Sequence, residues 1–473
     1  MRTGPGFFIK LIHSQPDSFE ILTNSEHYTE TIHIRSPGPI QTVHHFYSFI
    51  IILLLPLALA RLFILGFKNP AYRQRWQERL GIFDWDRGEL PVIWLHAVSV
   101  GEMNAATPLI TKLIQQYPGY QVLVTTVTPT GAQTLQMHFG GEIKHLYFPF
   151  DLRMFVKRTL DKIQPQLLII METEIWPNLC YECEQRNVPV VLINARLSDK
   201  SARNYRRVAG LTRMTLERLA RIAAQTEKDA QRFISLGLSP DKVSVCGNLK
   251  FDVSIPQSVT EQAEVLKRYF STSRHIWMAA STQEGEEEII LNAHRSILKR
   301  HPDAILILAP RHPERCSKVA VLCADKGLDF ITRTSNQPFT SSRQVYLLDT
   351  LGELQPHYAA AQVAFVGGSL VNRGGQNMLE PASLGIPVMA GPYTYNFAEI
   401  TQILKEAGGL RLVMSASELG EQVCEYFEDA NFRHDAGEKA RQVIRSNQGN
   451  VDKILEIVAY FLEPHATYSK NNI

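Results

Sequence analysis

The pattern that most limits what this chain can fold into occurs twice. PVIWLHAVSVGE, starting at Pro91, reads as an apolar strand that breaks at small residues into a helix from Met103 to Gln116, and YPGYQVLVTTVTP supplies a second strand. The same order returns later in HIWMAASTQEGEEE, a helix running to Lys299, and HPDAILILAPRHP. Each stretch is a strand, helix, strand unit, and each continues in alternation: LLIIMETEI, VPVVLINAR, RIAAQT and KVSVCGN in the first half, QVYLLDT, VAFVGG and IPVMAG in the second. Such alternation predicts doubly wound parallel sheets of α/β class. Two of them predict two Rossmann-like domains facing across a cleft, with ligands at the carboxyl ends of the strands. FDVSIPQSV, with Pro256 in a polar setting, is the expected linker, giving domains over 68–252 and 253–465.

Composition narrows the classes further. In 473 residues, 49 Lys and Arg stand against 47 Asp and Glu, so the chain is not built to neutralise a nucleic-acid backbone. Of six cysteines only Cys180 and Cys183 are close, and no second pair stands at metal-site spacing, which predicts free thiols in a reducing compartment. From Phe46 to Phe67 the chain is apolar enough to just span a bilayer, and Lys68, Arg73, Arg75 and Arg79 follow at once. The positive-inside rule then predicts an uncleaved, single-pass signal anchor with the body in the cytoplasm. Pro56 and Arg61 leave a buried or monotopic helix as the alternative. Residues 1–45 show no sustained period and are expected to be a disordered extension.

Chemistry-bearing residues gather where strands end. In Ser99-Val100-Gly101-Glu102 the carboxylate is a general base or a helix cap. Ser281 and Thr282, ahead of Gly285-Glu286, offer hydroxyls and helix N–H groups to a phosphate, or cap a helix. Arg311, after Pro310, emerges where a phosphate lies in such folds. Gly367, Gly368, Gly374 and Gly375 let backbone approach a ligand, and Asn377 with Glu380 suits a nucleotide sugar, Glu380 accepting from ribose hydroxyls. Glu172 and Glu174 either orient a sugar or hold the fold. Arg196, Lys200, Arg203 and Arg206 form a basic loop that holds acceptor phosphates or is a solvated face. Asp84-Trp85-Asp86 has the form of a metal-binding DxD but precedes the first strand, so no metal is expected there.

Taken together, HAVSVGE, YFPFDL, METEIWPNL, NARLSDKS, QTEKDAQRF, GNLKFD, ASTQEGEE, APRHPER, GELQPHYAAA, VGGSL, QNMLEPASLGIPV and GPYTYNF resemble the Kdo transferase family, the lipid IV(A) 3-deoxy-D-manno-octulosonic acid transferases. The resemblance covers about residues 46–460. It implies a GT-B fold, a CMP-Kdo donor, a lipid A precursor as acceptor at the cytoplasmic leaflet of the bacterial inner membrane, and no cofactor. It places the catalytic base on Glu102. CMP contacts fall on Pro310 and Arg311, on Leu351, Gly352 and Glu353, and on Asn377, Met378, Leu379 and Glu380. Gln283 and Gln376 depart from the family by standing where His is expected. The chemistry so implied is a single inverting displacement. Its rivals are a sugar-nucleotide epimerase or UDP-sugar transferase on the same fold, and a membrane-tethered nucleotide-binding scaffold.

Overall fold

The computed structural model describes residues 9–15, 18–25, 28–35 and 39–463 except 87 and 272, with side chains from Phe46 onward apart from Lys68. Three antiparallel strands open the chain: β1 (Ile9–Gln15), β2 (Ser18–Ser25) and β3 (Tyr28–Arg35), paired in that order. This corrects the expectation of an extension without regular structure. The β-branched residues of YTETIHIR are suited to a strand, and a meander needs no long-range partner.

The body divides into two units, residues 1–247 with 452–473, and residues 248–451. The first holds β4 (Val92–His96), β5 (Gln121–Thr126), β6 (Lys144–Tyr147), β7 (Pro165–Met171), β8 (Val190–Ala195), β9 (Arg221–Ala224) and β10 (Val243–Val245), all parallel in the order β10-β9-β8-β7-β4-β5-β6. Chain order therefore reverses between β4 and β7. Both strands are buried on both faces, which is why they read as unbroken apolar runs rather than alternating ones.

The second unit repeats the plan with β11 (Ile276–Thr282), β12 (Ile305–Pro310), β13 (Phe330–Thr332), β14 (Val345–Leu347), β15 (Val363–Val366), β16 (Val388–Ala390) and β17 (Leu410–Leu412). Their order is β13-β14-β12-β11-β15-β16-β17, reversing between β11 and β15. Each unit is thus a doubly wound parallel sheet of Rossmann type.

The units change over at Gly247/Asn248, ahead of the expected boundary, because Asn248 and Asp252 are tied into the second unit. Asp252 accepts the N–H groups of Gly449 (2.7 Å) and Val451 (2.6 Å), and Asn450 donates to the Asn248 carbonyl (3.0 Å). The expected second domain to residue 465 is also corrected, since the chain from Asp452 returns to the first unit. There the helix Asn450–Leu462 buries Ile454, Leu455, Val458 and Leu462 at helical spacing. Tyr120 donates to the Leu462 carbonyl (3.2 Å), and Lys112 pairs with Asp452.

The long helix Pro39–Lys68 contains a stretch, Phe46–Phe67, long and apolar enough to cross a membrane, and most of its large apolar side chains are exposed. The start of that stretch is held to the body of the first unit, and its end to the residues that follow it. At its start the Tyr47 hydroxyl donates to Asp151 (2.8 Å) and Ser48 donates to Asn178 (3.0 Å). Beyond its end Arg73 folds back over the rings of Phe63 and Phe67, 4.2 and 4.0 Å from their centroids. Asp151 also accepts the N–H groups of Asn178 (3.0 Å) and Leu179 (2.9 Å), and burial pushes its carboxyl up to about 6 against those donors.

Candidate active site

In the first unit the chain reversal lies between β4 and β7, and each strand ends in a carboxylate loop. Ser99 caps the helix Val100–Gln116 by accepting the N–H of Glu102 (3.4 Å). Glu102 answers as in a capping box, its Oε1 accepting from the Ser99 hydroxyl (3.1 Å) and its Oε2 from the N–H of Val98 (2.8 Å). The side chain is buried, and burial, with the charges of Glu172 and Glu174 beyond β7, pushes its carboxyl up to about 7 despite those two donors. Glu174 is itself pushed up by burial and by Glu172. Glu172 has φ 54° and Asn194, at the end of β8, φ 51°, conformations that cost non-glycine residues energy and concentrate at functional sites. The cap and base readings of Glu102 therefore hold together: the cap leaves each oxygen a further lone pair.

One residue missed from the sequence supports this turn from beneath. His96, the last residue of β4, is fully buried, stacks on Phe148 with ring centroids 3.8 Å apart, and approaches the Thr125 hydroxyl at 3.0 Å. Burial pushes its pKa down to about 3, so it is neutral. Its sequence signals are its place at the end of an apolar run and at the head of HAVSVGE.

The basic residues lie at the same end of the sheet. Arg196 follows β8, and Lys200, Arg203 and Arg206 ride on the helix Asp199–Arg207, all exposed. Arg206 donates to Ser235 (3.2 Å), and Asp199 is drawn away to Arg232 (2.8 Å). Among the described residues no carboxylate is within ion-pair distance of Arg196, Lys200 or Arg203. The helix thus presents uncompensated positive charge.

In the second unit the reversal lies between β11 and β15. Ser281 bulges from β11 with φ 57°. Gly367, just past β15, comes so near that a Cβ there would stand 2.6 Å from the Thr282 Cα, so only glycine fits. The loop after Gly367 is fixed by Glu286. Its fully buried carboxylate accepts the N–H groups of Gln283 (2.8 Å), Gly368 (2.6 Å), Ser369 (2.9 Å) and Leu370 (2.8 Å). Thr282 donates to Glu287 (3.0 Å), which Arg315 grips with two bonds of 2.7 and 3.1 Å.

These bonds tell against a phosphate on the Thr282 hydroxyl or on the amides of Gln283, Gly368, Ser369 and Leu370, and leave the expectation for Ser281 as it stood. The helix Glu286–Arg300 begins with three glutamates, the amides of the loop already hold a carboxylate, and the Thr282 proton is committed. Ser281 keeps an uncommitted hydroxyl among the described residues.

The other donor-site candidates do converge, at the ends of β12 and β14 and in the loop after β15. Pro310 closes β12, and the exposed Arg311 is anchored by its N–H to the Thr282 carbonyl (2.9 Å), with no carboxylate within ion-pair distance among the described residues. Burial raises the Glu380 carboxyl, while the Asn377 amide (2.9 Å) and the positive charge of Arg311 oppose it. Asn377 in turn accepts the N–H of Leu379 (3.1 Å). Met378 and Leu379 are buried core residues whose side chains pack in the interior, and the Leu379 N–H is already held by Asn377. Leu351 is exposed, Gly352 has φ 82°, and Glu353 is held by Thr350 and by Arg333 (3.3 Å). Burial works to raise Glu353, but those two donors outweigh it and keep the carboxyl low. Gln376 lies against Gly368, 3.2 Å from the position of a Cβ there.

A family model for 3-deoxy-D-manno-octulosonic-acid transferase (kdotransferase) matches residues 74–253. The chain is 38% identical over 420 residues to the 3-deoxy-D-manno-octulosonic acid transferase of Haemophilus influenzae, covering 88% of this chain and 98% of that one. Its structure is similar to a glycosyltransferase from Rickettsia africae (TM-score 0.52, 13% identity, 80% of this chain and 100% of that one). A UDP-GlcNAc 2-epimerase from Neisseria meningitidis bound to UDP-GlcNAc is equally similar (TM-score 0.52, 18% identity, 78% and 100%). At such identities the last two show the shared GT-B fold alone.

Proposed function

Because the chain belongs to the 3-deoxy-D-manno-octulosonic acid transferase family, and is a Kdo-transferring glycosyltransferase of lipopolysaccharide synthesis, we propose that it moves Kdo from CMP-Kdo to the lipid A precursor lipid IV(A) with inversion. The observation that carries the reading is Glu102: a buried carboxylate at a strand-order reversal, raised to about 7 and flanked by Glu172 and Glu174. An acceptor hydroxyl oxygen bonds to the ketosidic carbon of the donor as the bond from that carbon to the CMP phosphate oxygen breaks. The bonding pair leaves with CMP, and Glu102 takes the hydroxyl proton. Arg311 meets the negative charge that grows on the departing phosphate, and Glu380, set by Asn377, accepts from ribose hydroxyls. The uncompensated cations Arg196, Lys200 and Arg203 hold the acceptor phosphates.

The helix Phe46–Phe67 holds the enzyme at the cytoplasmic leaflet of the bacterial inner membrane. A single pass through that membrane requires Tyr47 and Ser48 to release Asp151 and Asn178, since one end of a span cannot stay bonded to a body on the other side. Mass spectrometry of the product made by the purified full chain from CMP-Kdo and lipid IV(A) tests the proposal. Addition of one or more Kdo units, abolished by Glu102→Gln, is expected; normal turnover by that variant excludes the mechanism.

A further inference from the structure

Beside the carboxylates of the first unit lies a cavity of about 180 Å³ whose walls include Tyr47, Ile175, Trp176, Tyr205, Val208 and Leu211. It is lined almost wholly by apolar atoms, and apolar cavities of roughly 150 Å³ stay dry and take up hydrocarbon. Nothing in the reaction chemistry uses it.

Three placements say what fills it. Tyr47, at the start of the apolar helix Phe46–Phe67, closes one side of it, and the release of Tyr47 that a single pass requires opens that side to lipid. Tyr205 lies on the helix that carries Lys200 and Arg203, and Val208, 52% exposed, follows its end, so cations that no carboxylate neutralises stand beside the cavity. Ile175 directly follows Glu174, whose charge reaches both Tyr205 and Glu102. An apolar slot, a cationic helix and the candidate base thus follow one another within a single unit.

We propose that this cavity receives one acyl chain of the phosphorylated lipid acceptor, fixing the headgroup with its phosphate on the cationic helix and its hydroxyl beside Glu102. The inference rests on the lipid-acceptor reading above. A buried chain in a preformed slot contributes affinity without touching the reacting atoms, so its loss is read in acceptor KM rather than kcat.

The test uses the full chain and two variants, Leu211→Phe to fill the cavity and Val208→Asp to charge its half-exposed rim. The probe is 11-bromoundecanoate, a single chain whose bromine quenches a touching indole, with Trp176 emission isolated by subtracting Trp176→Phe. Saturable quenching in the wild type, with at least tenfold weaker affinity in both variants, is expected. Quenching that is absent from the wild type, or unchanged in the variants, overturns the proposal. In kinetics, both variants raise KM tenfold or more for acylated acceptor and leave KM for the de-acylated disaccharide phosphate unchanged; equal effects on both acceptors also overturn it. If the wild type glycosylates neither acceptor, the lipid-acceptor function fails, while the bromoundecanoate result still decides the cavity.

Discussion

As the proposed base, Glu102 joins a chemical duty to the structural one its hydrogen bonds show, and a single variant separates the two. Glu102→Gln keeps size and hydrogen bonding but accepts no proton, so kcat falls by roughly 10² to 10⁴, the usual worth of a general base. CMP affinity stays unchanged, and the melting temperature moves little, because Ser99 remains the cap and Gln serves at the same position of a capping box. The pH profile follows from the same residue. A base works as its carboxylate, and burial raises this one to about 7, so kcat/KM rises with pH up to about 7 and falls nearly tenfold per unit below it. A profile flat from pH 5 to 8 excludes Glu102 as base. At the donor end, Arg311→Ala and Glu380→Ala each remove a charge-assisted bond worth roughly 1.5–3 kcal/mol, so calorimetry should show CMP binding about tenfold weaker or more.

Among the elements, the loop after β15 depends on a residue that touches no ligand. Glu286→Ala strands the N–H groups of Gly368, Ser369 and Leu370 in the interior, at about 1–3 kcal/mol each. Urea unfolding of the second unit should lose about 3 kcal/mol or more, with CMP affinity reduced as Asn377 and Glu380 lose their support; an unchanged urea midpoint refutes this role for Glu286. The strands themselves were legible in the sequence, because a parallel strand buried on both faces leaves an unbroken apolar run, as in IWMAA and ILILA. The places of Glu102 and Arg311 were legible too, since each follows the end of such a strand, Glu102 buried and Arg311 exposed. What short-range spacing did not reveal was the partner of Thr282 and of the amides around it. Thr282 and the turn amides look ready for phosphate, yet the carboxylates that claim them include Glu286, whose own loop partners lie more than 80 positions along the chain. Short-range spacing carries no trace of such a bond. The early strands Ile9–Arg35 escaped for the opposite reason: their alternation is short and mixed with His, Ser and Thr.

At the scale of the whole molecule, the proposed membrane attachment rests on one helix. Deleting residues 1–67 should move the protein to the soluble fraction with CMP affinity intact, and retention on membranes in high salt, which screens electrostatic attachment, shows a second anchor. The return of residues 452–462 to the first unit bears on how the protein is made. The ribosome delivers β4 to β10 early, but the helix that covers part of this unit emerges only after about 200 more residues, on the order of 10 to 40 s at ordinary elongation rates. Throughout that interval the unit synthesised first is the one still unfinished, while residues 248–451 form a continuous stretch that can fold as it appears. A released chain truncated after Val451 should therefore display a protease-resistant second unit beside a protease-sensitive first one, the reverse of the order in which they are synthesised.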